Sequence, residues 1–432
     1  MRPEFQTASV IGLGYIGLPT AALIASRGVK VIGVDVNPTV VATVGAGRVH
    51  IVEADLDGAV HRAVLSGWLV ARTQPEPADV FVIAVPTPLS AEKKPVLDYV
   101  FAASRAIAPH LRRGGLVILE STSPVGTTEA VAKILAEARP DMRIPRSGDK
   151  TAEADIAIAY CPERVLPGRI LKELVENDRC VGGLTPACAA KARRFYAMFV
   201  RGACIETSAR TAEMVKLTEN AFRDTNIAFA NELSLLCDEF GVNVWELIAL
   251  ANRHPRVDIL KPGPGVGGHC IAVDPWFIVD AAPEKTRLIR AAREVNDSKA
   301  HYVLEEAKRL IDAHPGRPVA CLGLSFKANI DDLRESPALE IAESLAAHYG
   351  DRIGVVEPFI ERLPESLREH GARKIGLEQA LADQGILILL VDHDVFRKVK
   401  ESQRGRAVVY DTRGIWSMNA APPGRPMQSA AA

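Results

Sequence analysis

A glycine-rich motif near the N-terminus limits what this chain can fold into more than any other feature. Residues 8–11 are an apolar run, residues 12–17 read GLGYIG, and a helical pattern follows. This order predicts a strand, a turn and a helix. Gly12 makes the turn, Gly14 lets the backbone approach a pyrophosphate, and Gly17 lets the helix pack on the strand. The motif therefore predicts a dinucleotide-binding α/β domain.

A second apolar run identifies the dinucleotide. Residues 30–34 end in Asp35, close to the spacing at which an acid binds the ribose hydroxyls of adenosine. A carboxylate repels the 2′-phosphate of NADP, and no arginine follows in residues 36–38. The sequence therefore predicts NAD as the cofactor, and the alternative is a glycine turn with nothing bound.

Further strands predict the cleft of this first domain. Residues 80–85, 116–119 and 156–160 read as buried strands followed by polar residues. Ligands of open parallel sheets lie at the carboxyl ends of the strands. The hydroxyl groups expected at that edge are those of Thr87, Ser121 and Thr122. Thr127 and Thr128 open the next helix, where they could cap it or contact the cofactor.

One long helix is predicted in the middle of the chain, because residues 211–240 contain neither proline nor glycine and carry apolar residues at helical spacing. Lys216, Asn220 and Arg223 stand at positions i, i+4 and i+7, so they share one face. A solvated polar stripe is one interpretation of this pattern. A functional face is the other.

A glycine loop supplies the strongest candidate for chemistry. Residues 263–277 read GPGVGGHCIAVDPWF, and the glycines predict room for a ligand beside Cys270. Asp274 follows four residues later. Cys270 is either a nucleophile or one more small buried residue. A nearby lysine such as Lys216 would lower the pKa of the thiol and could hold an oxyanion.

The last part of the chain predicts a second α/β sheet. Strand-like runs cover residues 318–324, 353–356, 385–391 and 408–411 without a second GxGxxG motif, so a second NAD is not implied. Its loops carry groups suited to a phosphorylated ligand, namely Lys327, Asp331, Arg334 and Arg413. The predicted fold is therefore two Rossmann-like doubly wound parallel sheets joined by a long central helix. The predicted domains are 1–208 for NAD, 209–300 for the central helices and cysteine loop, 315–416 for the second ligand, and a disordered tail at 417–432.

Composition narrows the function. The chain of 432 residues has 52 basic and 53 acidic residues, which gives no electrostatic case for binding nucleic acid or an anionic membrane. The cysteines, seven in all, show no metal-binding spacing and suit reduced thiols. No signal peptide or membrane span is visible in the sequence. These features predict a soluble cytoplasmic protein with a small-molecule ligand and no metal.

A series of motifs resembles the nucleotide-sugar 6-dehydrogenases of the UDP-glucose and GDP-mannose dehydrogenase superfamily. In chain order they are GLGYIG, VPTP, ESTSPVG, CPERVLPG, TAEMVKLTEN, GPGVGGHCIAVDPWF, GLSFKANIDDLRESPA and DTRG. The likeness covers nearly the whole chain. It implies an enzyme that oxidises the C6 alcohol of a UDP-sugar to a carboxylate with NAD, and a homodimer formed through the long central helix.

The resemblance also implies a role for the cysteine. Two hydride transfers are needed, and the intermediate aldehyde must not escape. Cys270 would add to the aldehyde, a second NAD would oxidise the thiohemiacetal, and water would release the acid from a thioester. Lys216 and Asn220 match residues that stabilise oxyanions or position water. Asp274 matches an acid/base partner, and Glu163 matches an acid that activates the hydrolytic water.

Substrate expectations follow from the same resemblance. UDP-glucose enzymes carry a second acid where this chain has Pro167, so a 2-acetamido sugar fits better. Ala272, Val273 and Trp276 favour the manno configuration, and physical grounds leave the gluco and galacto alternatives open. Positions matching cofactor contacts are Gly12, Gly14, Tyr15, Ile16, Gly17, Asp35, Thr87, Thr122, Thr128 and Arg334. Positions matching substrate contacts, besides Lys216 and Asn220, are Arg164, Val165, Arg223, His254, Arg256, Gly267, Phe326, Lys327 and Arg413.

Two other classes of function compete with this one. An ordinary two-electron dehydrogenase would release one NADH per substrate and would not depend on Cys270. A non-catalytic NAD-binding regulator would be expected to have lost the nucleophile or the lysine, and both Cys270 and Lys216 are present.

Overall fold

A computed structural model describes residues 4–51, 53–149, 154–165 and 168–416. It divides into two compact units. The first comprises Met1–Glu219 and Trp276–Ala281, and the second comprises Asn220–Pro275 and Ala282–Ala432. The predicted tail at 417–432 and Pro167 lie outside the described residues.

The first unit is built on an eight-stranded sheet of order β3-β2-β1-β4-β5-β6-β7-β8. Neighbouring strands are parallel except β6 and β7, which pair antiparallel. The strands are β1 (Thr7–Ile11), β2 (Lys30–Val34), β3 (Leu69–Arg72), β4 (Val80–Ile83), β5 (Gly115–Leu119), β6 (Ile156–Tyr160), β7 (Arg179–Gly183) and β8 (Cys204–Ser208). The first six follow the Rossmann order, in which the chain crosses back at β1 and β4 and leaves a crevice at their carboxyl ends.

Helices cover both faces of this sheet. They are α1 (Gly17–Ala25), α2 (Pro38–Gly45), α3 (Leu56–Leu65), α4 (Asp98–Ile107), α5 (Thr127–Ala138), α6 (Ile170–Glu176) and α7 (Pro186–Tyr196). Alternate residues of β1 enter different cores: Ala8 and Val10 belong to one buried cluster, and Ile11 belongs to another. Because both faces are covered, the strands are nearly continuous apolar runs, as in other parallel sheets.

Three helices follow in the middle of the chain: α8 (Ala209–Phe240), α9 (Val244–Ala251) and α10 (Asp274–Ala281). The 32-residue α8 confirms the predicted central helix and extends it by two residues at its start. The boundary between the two compact units falls within α8, after Glu219. Helix α11 (Arg287–Asp312) belongs to the second unit.

The second unit carries a five-stranded parallel sheet of order β11-β10-β9-β12-β13. Its strands are β9 (Val319–Leu322), β10 (Ile353–Val356), β11 (Arg373–Lys374), β12 (Ile386–Leu389) and β13 (Val408–Asp411), and its helices are α12 (Pro337–Tyr349), α13 (Glu365–Glu369), α14 (Leu377–Ala382), α15 (Asp394–Arg397) and α16 (Glu401–Arg404). The predicted fold class is confirmed. Among the described residues, no helix is both long and apolar enough to cross a bilayer.

Candidate active site

Two of the three motif glycines, Gly12 and Gly17, stand where only glycine fits, and the third, Gly14, has open space beside it. Gly12 has a φ of +95°, and a Cβ there would lie 2.5 Å from the carbonyl oxygen of Ala84. A Cβ on Gly17 would lie 1.8 Å from the carbonyl oxygen of Gly12, so only glycine lets helix α1 begin this close to the strand. A Cβ on Gly14 would meet no atom within 4 Å. This open side is where a pyrophosphate fits, at the N-terminus of α1.

Asp35 stands at the end of β2, as predicted. Its Oδ2 accepts the Leu13 N–H at 3.0 Å and its Oδ1 accepts the Asn37 N–H at 2.9 Å. The carboxylate is half-buried and has two oxygens with further acceptor capacity. It is thus held in place by the glycine turn while still able to accept ribose hydroxyls. These residues fit NAD.

We expect Asp35→Ala to raise the KM for NAD about tenfold to a hundredfold, which corresponds to losing charge-assisted hydrogen bonds of about 1.5–3 kcal/mol. Steady-state kinetics with NAD varied and the second substrate saturating measure this change. Circular dichroism should show the fold retained, since the carboxylate is only half-buried. An unchanged KM for NAD would count against the ribose role.

The strand-end hydroxyls divide into two kinds. Thr87 and Thr122 are half-buried at the ends of β4 and β5, where the sequence predicts cofactor contacts. Ser121 instead donates to the carbonyl of Val85 at 2.7 Å. Its hydroxyl therefore ties the two strand ends together.

Thr128, at the start of α5, is bonded to a carboxylate of α8. Its hydroxyl and N–H both donate to Glu213 Oε1, at 2.6 and 2.8 Å, and Gly126 N–H donates to Oε2 at 2.6 Å. Thr128 is completely buried and its hydroxyl donates to Glu213, so its predicted contact with the cofactor stays a prediction. Thr127, which donates to the carbonyl of Pro124, is not a side-chain cap. Sequence reasoning missed Glu213, because its contact joins α8 to a helix start more than eighty positions earlier.

Within the described ranges, Glu163 is a buried carboxylate of the first unit with one unpartnered oxygen. It is 8 % exposed, its Oε2 accepts the Val165 N–H at 2.8 Å, and its Oε1 has no hydrogen-bond partner among the described residues. Burial raises the pKa of this carboxyl, and the charges of Lys216 and Arg179 partly offset that rise. A buried carboxylate with one open oxygen and a raised pKa is suited to accept a proton.

The polar face of α8 is not a solvated stripe. Lys216 is 9 % exposed, and its charge acts on Glu163. One turn later, Asn220 is half-buried and its Nδ2 donates to Asp274 Oδ2. Only Arg223 is exposed. The interpretation of this face as a solvated stripe is therefore wrong for Lys216 and Asn220, and their functional role stays a prediction.

Asp274 and Cys270 belong to one turn of the chain. The N–H of Asp274, the first residue of α10, donates to the carbonyl of Cys270 at 2.8 Å. The carboxyl group of Asp274 is buried and bonded to Asn220. The predicted acid/base residue is thus fixed in position relative to the cysteine backbone.

Exposure distinguishes Cys270 from the other cysteines. All seven lie within the described residues, and only Cys270 is exposed. Burial raises the pKa values of Cys161 and Cys321 to about 12, which keeps those thiols protonated and inert. Cys270 is therefore not a core residue, and a substrate can reach it.

The sequence led us to expect that the glycines before Cys270 leave room for a ligand. In the structure, several of them are instead in close contact with other residues. A Cβ on Gly267 would lie 2.3 Å from the carbonyl oxygen of Glu335, and one on Gly268 would lie 2.8 Å from the Phe326 ring. A Cβ on Gly263 would meet the Arg413 guanidinium at 2.2 Å. The missing side chains therefore admit other parts of the second unit, and they bring the loop against Phe326 and Arg413, two predicted substrate residues.

The remaining predicted contacts are mostly accessible. Lys327 and Arg334 are exposed on the loop after β9, and Arg334 forms a two-pronged ion pair with Asp332 at 2.6 and 2.8 Å. Side chains that also face solvent in part are Arg164, Val165, His254 and Arg256. Arg164 is paired with Glu219 at 2.5 Å. Tyr15 and Ile16 are half-buried in the glycine turn.

These features together define an NAD-dependent dehydrogenase. They are a Rossmann sheet with the glycine turn and Asp35, and an accessible Cys270 in the same turn of the chain as the buried Asp274. Family models match the chain in three parts: the NAD binding domain at residues 6–200, the central domain at 210–298 and the UDP binding domain at 320–418. The chain belongs to the UDP-glucose/GDP-mannose dehydrogenase family.

Individual relatives are similar over their full length. The NDP-N-acetyl-D-galactosaminuronic acid dehydrogenase of Ralstonia nicotianae is 61% identical over 96% of this chain and 97% of its own. The UDP-N-acetyl-D-mannosamine dehydrogenase of Escherichia coli is 54% identical over 96% of this chain and 100% of its own. The solved structure of the UDP-D-ManNAc dehydrogenase from Pyrococcus horikoshii superimposes with a TM-score of 0.83 at 38% identity, covering 97% of each chain.

Proposed function

We propose that this enzyme oxidises the C6 alcohol of UDP-N-acetyl-D-mannosamine to the carboxylate, using two molecules of NAD and a covalent intermediate on Cys270. The product, UDP-N-acetyl-D-mannosaminuronate, would serve the synthesis of cell-surface polysaccharide. The observation that carries the proposal is the exposed Cys270 thiol, which is joined through its carbonyl to the buried Asp274. A single two-electron oxidation needs no such thiol.

Each candidate residue has a different chemical role in the two oxidations. Bound NAD supplies the hydride acceptor for each of the two oxidations. Asp274 with Asn220 would take the proton of the C6 hydroxyl in the first oxidation. The Cys270 sulfur would then form a bond to the aldehyde carbon, and the Lys216 ammonium and the Asn220 amide would stabilise the charge on the C6 oxygen. The second oxidation turns this adduct into a thioester.

Hydrolysis completes the reaction. Glu163 would take a proton from water, the water oxygen would bond to the thioester carbon, and the C–S bond would break to return the Cys270 thiol. The open Oε1 of Glu163 and its raised pKa support this assignment. Two hydrides leave the sugar in all, so the balance is two NADH and one carboxylate per sugar.

The sugar configuration has two candidates. The manno assignment is supported by curated relatives named UDP-N-acetyl-D-mannosamine dehydrogenase at 54–55% identity and by solved neighbours of that name. A galacto substrate is supported by the Ralstonia relative at 61% identity. Both are 2-acetamido sugars, so they agree on the substituent at C2 and differ in stereochemistry.

A panel of purified UDP-sugars tests the proposal. NADH release and acid product are measured together for the N-acetylated manno, gluco and galacto sugars and for UDP-glucose. We expect two NADH per acid and the fastest turnover with the manno sugar. One NADH per sugar would indicate an ordinary two-electron dehydrogenase. Binding without any NADH would indicate a regulator, and faster turnover of the galacto sugar would replace the manno assignment.

We also propose a homodimer formed through α8. An apolar stripe runs along this helix, with exposed fractions of 70 % for Phe222, 53 % for Phe229, 44 % for Leu236 and 71 % for Phe240. These residues are seven, seven and four positions apart, so they share one face. Exposed apolar residues grouped on one face of a helix are typical of a protein contact surface.

The Phe229→Asp variant tests the dimer, because a charge in the middle of an apolar interface costs several kcal/mol when buried. Light scattering should show wild-type protein with the mass of two chains and the variant with the mass of one. The exposed Glu239→Asp change at the same helix is the control and should stay dimeric. A monomeric wild type would contradict the proposal.

We also propose that the reaction takes place in the cytoplasm. All seven cysteines lie in the part of the chain that the structure describes and none forms a disulfide, which suits a reducing compartment.

A further inference from the structure

The second sheet repeats the turn and acid of the first. In the first unit, Asp35 at the end of the second strand accepts two backbone N–H groups. In the second unit, Glu357 occupies the same position after β10: its Oε2 accepts the Leu324 N–H at 2.7 Å, and its Oε1 accepts the Phe359 N–H at 3.0 Å. The repeat shows where a ribose would be bound if this sheet were a second dinucleotide site.

A histidine stands there instead. Glu357 is 1 % exposed, and His393 Nε2 lies 3.1 Å from its Oε2. The imidazole is completely buried, with ring centroids 4.9 Å from Phe359 and 5.4 Å from Phe396. Its Nδ1 accepts the Asn329 N–H at 2.9 Å, so Nε2 carries the hydrogen and donates to the carboxylate. Glu357 is therefore bonded to a side chain of this same unit, His393, where a dinucleotide site would bind a ribose.

Through this histidine the acid holds a loop. Asn329 lies at the turn of the loop that carries Lys327 and has a φ of +63°. Besides its N–H bond to His393, its Oδ1 accepts the Asp394 N–H at 3.0 Å. At the start of the loop, the Ser325 hydroxyl donates to the Lys327 carbonyl at 2.8 Å. The backbone of Lys327 is thus fixed on both sides.

The residue before the histidine holds another group. Asp392 Oδ1 accepts Arg413 Nε at 3.2 Å and Nη2 at 2.9 Å. Asp392 is half-buried, where a charged pair is less screened than at the surface. Three consecutive residues after β12 therefore fix both the Arg413 guanidinium and the loop with Lys327.

We propose that the turn Asp392–His393–Asp394 is the positioning element of the nucleotide site: Asp392 orients Arg413, and His393 with the Asp394 N–H fixes the loop of Lys327. This inference rests on the proposed function and on the substrate contacts that the resemblance implies for Lys327 and Arg413, which we take to be contacts with the diphosphate. The turn itself need not touch the ligand. It would determine affinity by presenting two cations in one fixed arrangement to a diphosphate.

Binding of UDP alone, measured by calorimetry on the full chain, tests the first half. We expect Asp392→Asn to raise the Kd for UDP about tenfold, since it replaces a charged acceptor for Arg413 by a neutral one. In an Arg413→Met background the same change should add less than about twofold, because a residue that acts through another has no effect once that other is gone. An equal effect in both backgrounds would overturn the proposal.

Asn329→Gly tests the second half. Glycine accepts the positive φ and keeps the N–H that binds His393, and only the bond to the Asp394 N–H is lost. We expect weaker UDP binding by about threefold or more in wild-type background and no further loss in a Lys327→Met background. Asp383→Asn is the control for Asp392→Asn, because it removes the same negative charge at an exposed position. The Asp383→Asn variant should bind UDP like wild type. The KM for NAD should be unchanged in all of these variants.

The outcomes separate this inference from the proposed function. Variants that bind UDP as tightly as wild type would overturn the inference and leave the oxidation reaction standing. Wild-type protein that binds UDP but oxidises no UDP-sugar would remove the proposed function, while the effects on UDP binding would still decide the role of the turn. Wild-type protein that does not bind UDP would overturn the inference directly.

Discussion

Cys270→Ser should lower the rate of acid formation at least ~10³-fold, as expected for the loss of an enzyme nucleophile. The serine hydroxyl is a far weaker nucleophile at neutral pH, so the aldehyde would form but would not be carried to the thioester. No more than one NADH per bound sugar should appear, and hydroxylamine should trap the aldehyde for mass spectrometry. UDP and NAD should bind as in wild type, because the predicted binding groups are other residues.

Cys204→Ser is the matched control. Cys204 is half-buried at the start of β8, so the same atom is replaced away from the proposed chemistry, and we expect wild-type activity. Full acid production by Cys270→Ser would contradict the covalent route. So would a Cys270 thiol that always stays unmodified in quenched turnover mixtures of wild-type enzyme.

Local sequence patterns predicted much of the fold because the corresponding structures are local. The turn at Gly12, the strand that ends in Asp35 and the helix α8 each depend on residues close in the chain, and each was found where the sequence placed it. Strand β7 was not predicted. Its sequence, RCVGG, has two glycines and no alternation, and the strand is held in the sheet by antiparallel pairing with β6 and parallel pairing with β8.

The sequence could name the candidate site residues but could not give their hydrogen-bond partners. Cys270, Glu163 and Lys216 stand out by residue type and motif. Whether each of them is exposed or buried could not be predicted, because burial depends on elements distant in the chain. The contact of Glu213 with the start of α5 and that of Asp392 with Arg413 likewise join separate segments.

The glycine loop shows how this limit produces an error. From the sequence, a glycine-rich segment beside a cysteine indicates space for a ligand. In the structure, the sides of Gly267 and Gly268 are filled by Glu335 and Phe326. Glycine permits close approach but does not say what approaches, and here much of it is the protein itself.

Glu163→Gln should stop the reaction at the thioester. Glutamine keeps an acceptor for the Val165 N–H but cannot take a proton from water, so hydrolysis should slow by about 10²–10⁴-fold. Mixing enzyme with excess substrate and NAD should therefore give a burst of two NADH per site, followed by a slow steady state. Mass spectrometry should find the sugar acid bonded to Cys270, and hydroxylamine should release it.

The pH dependence gives an independent check with a definite sign. Burial raises the pKa of Glu163, and only the ionised carboxylate can accept a proton. In wild type, hydrolysis should therefore fall as the pH is lowered through a value above the usual range for glutamate. Because the Lys216 charge lowers this pKa, Lys216→Met should move the acid limb of the profile to higher pH. Glu206→Gln, an exposed control in the same unit, should leave both the NADH burst and the pH profile unchanged.

One result with Glu163→Gln would contradict the proposed role of Glu163. The thioester can accumulate only if its hydrolysis has become the slow step. A Glu163→Gln enzyme that turns over without accumulating the Cys270 adduct would therefore show that another group activates the water.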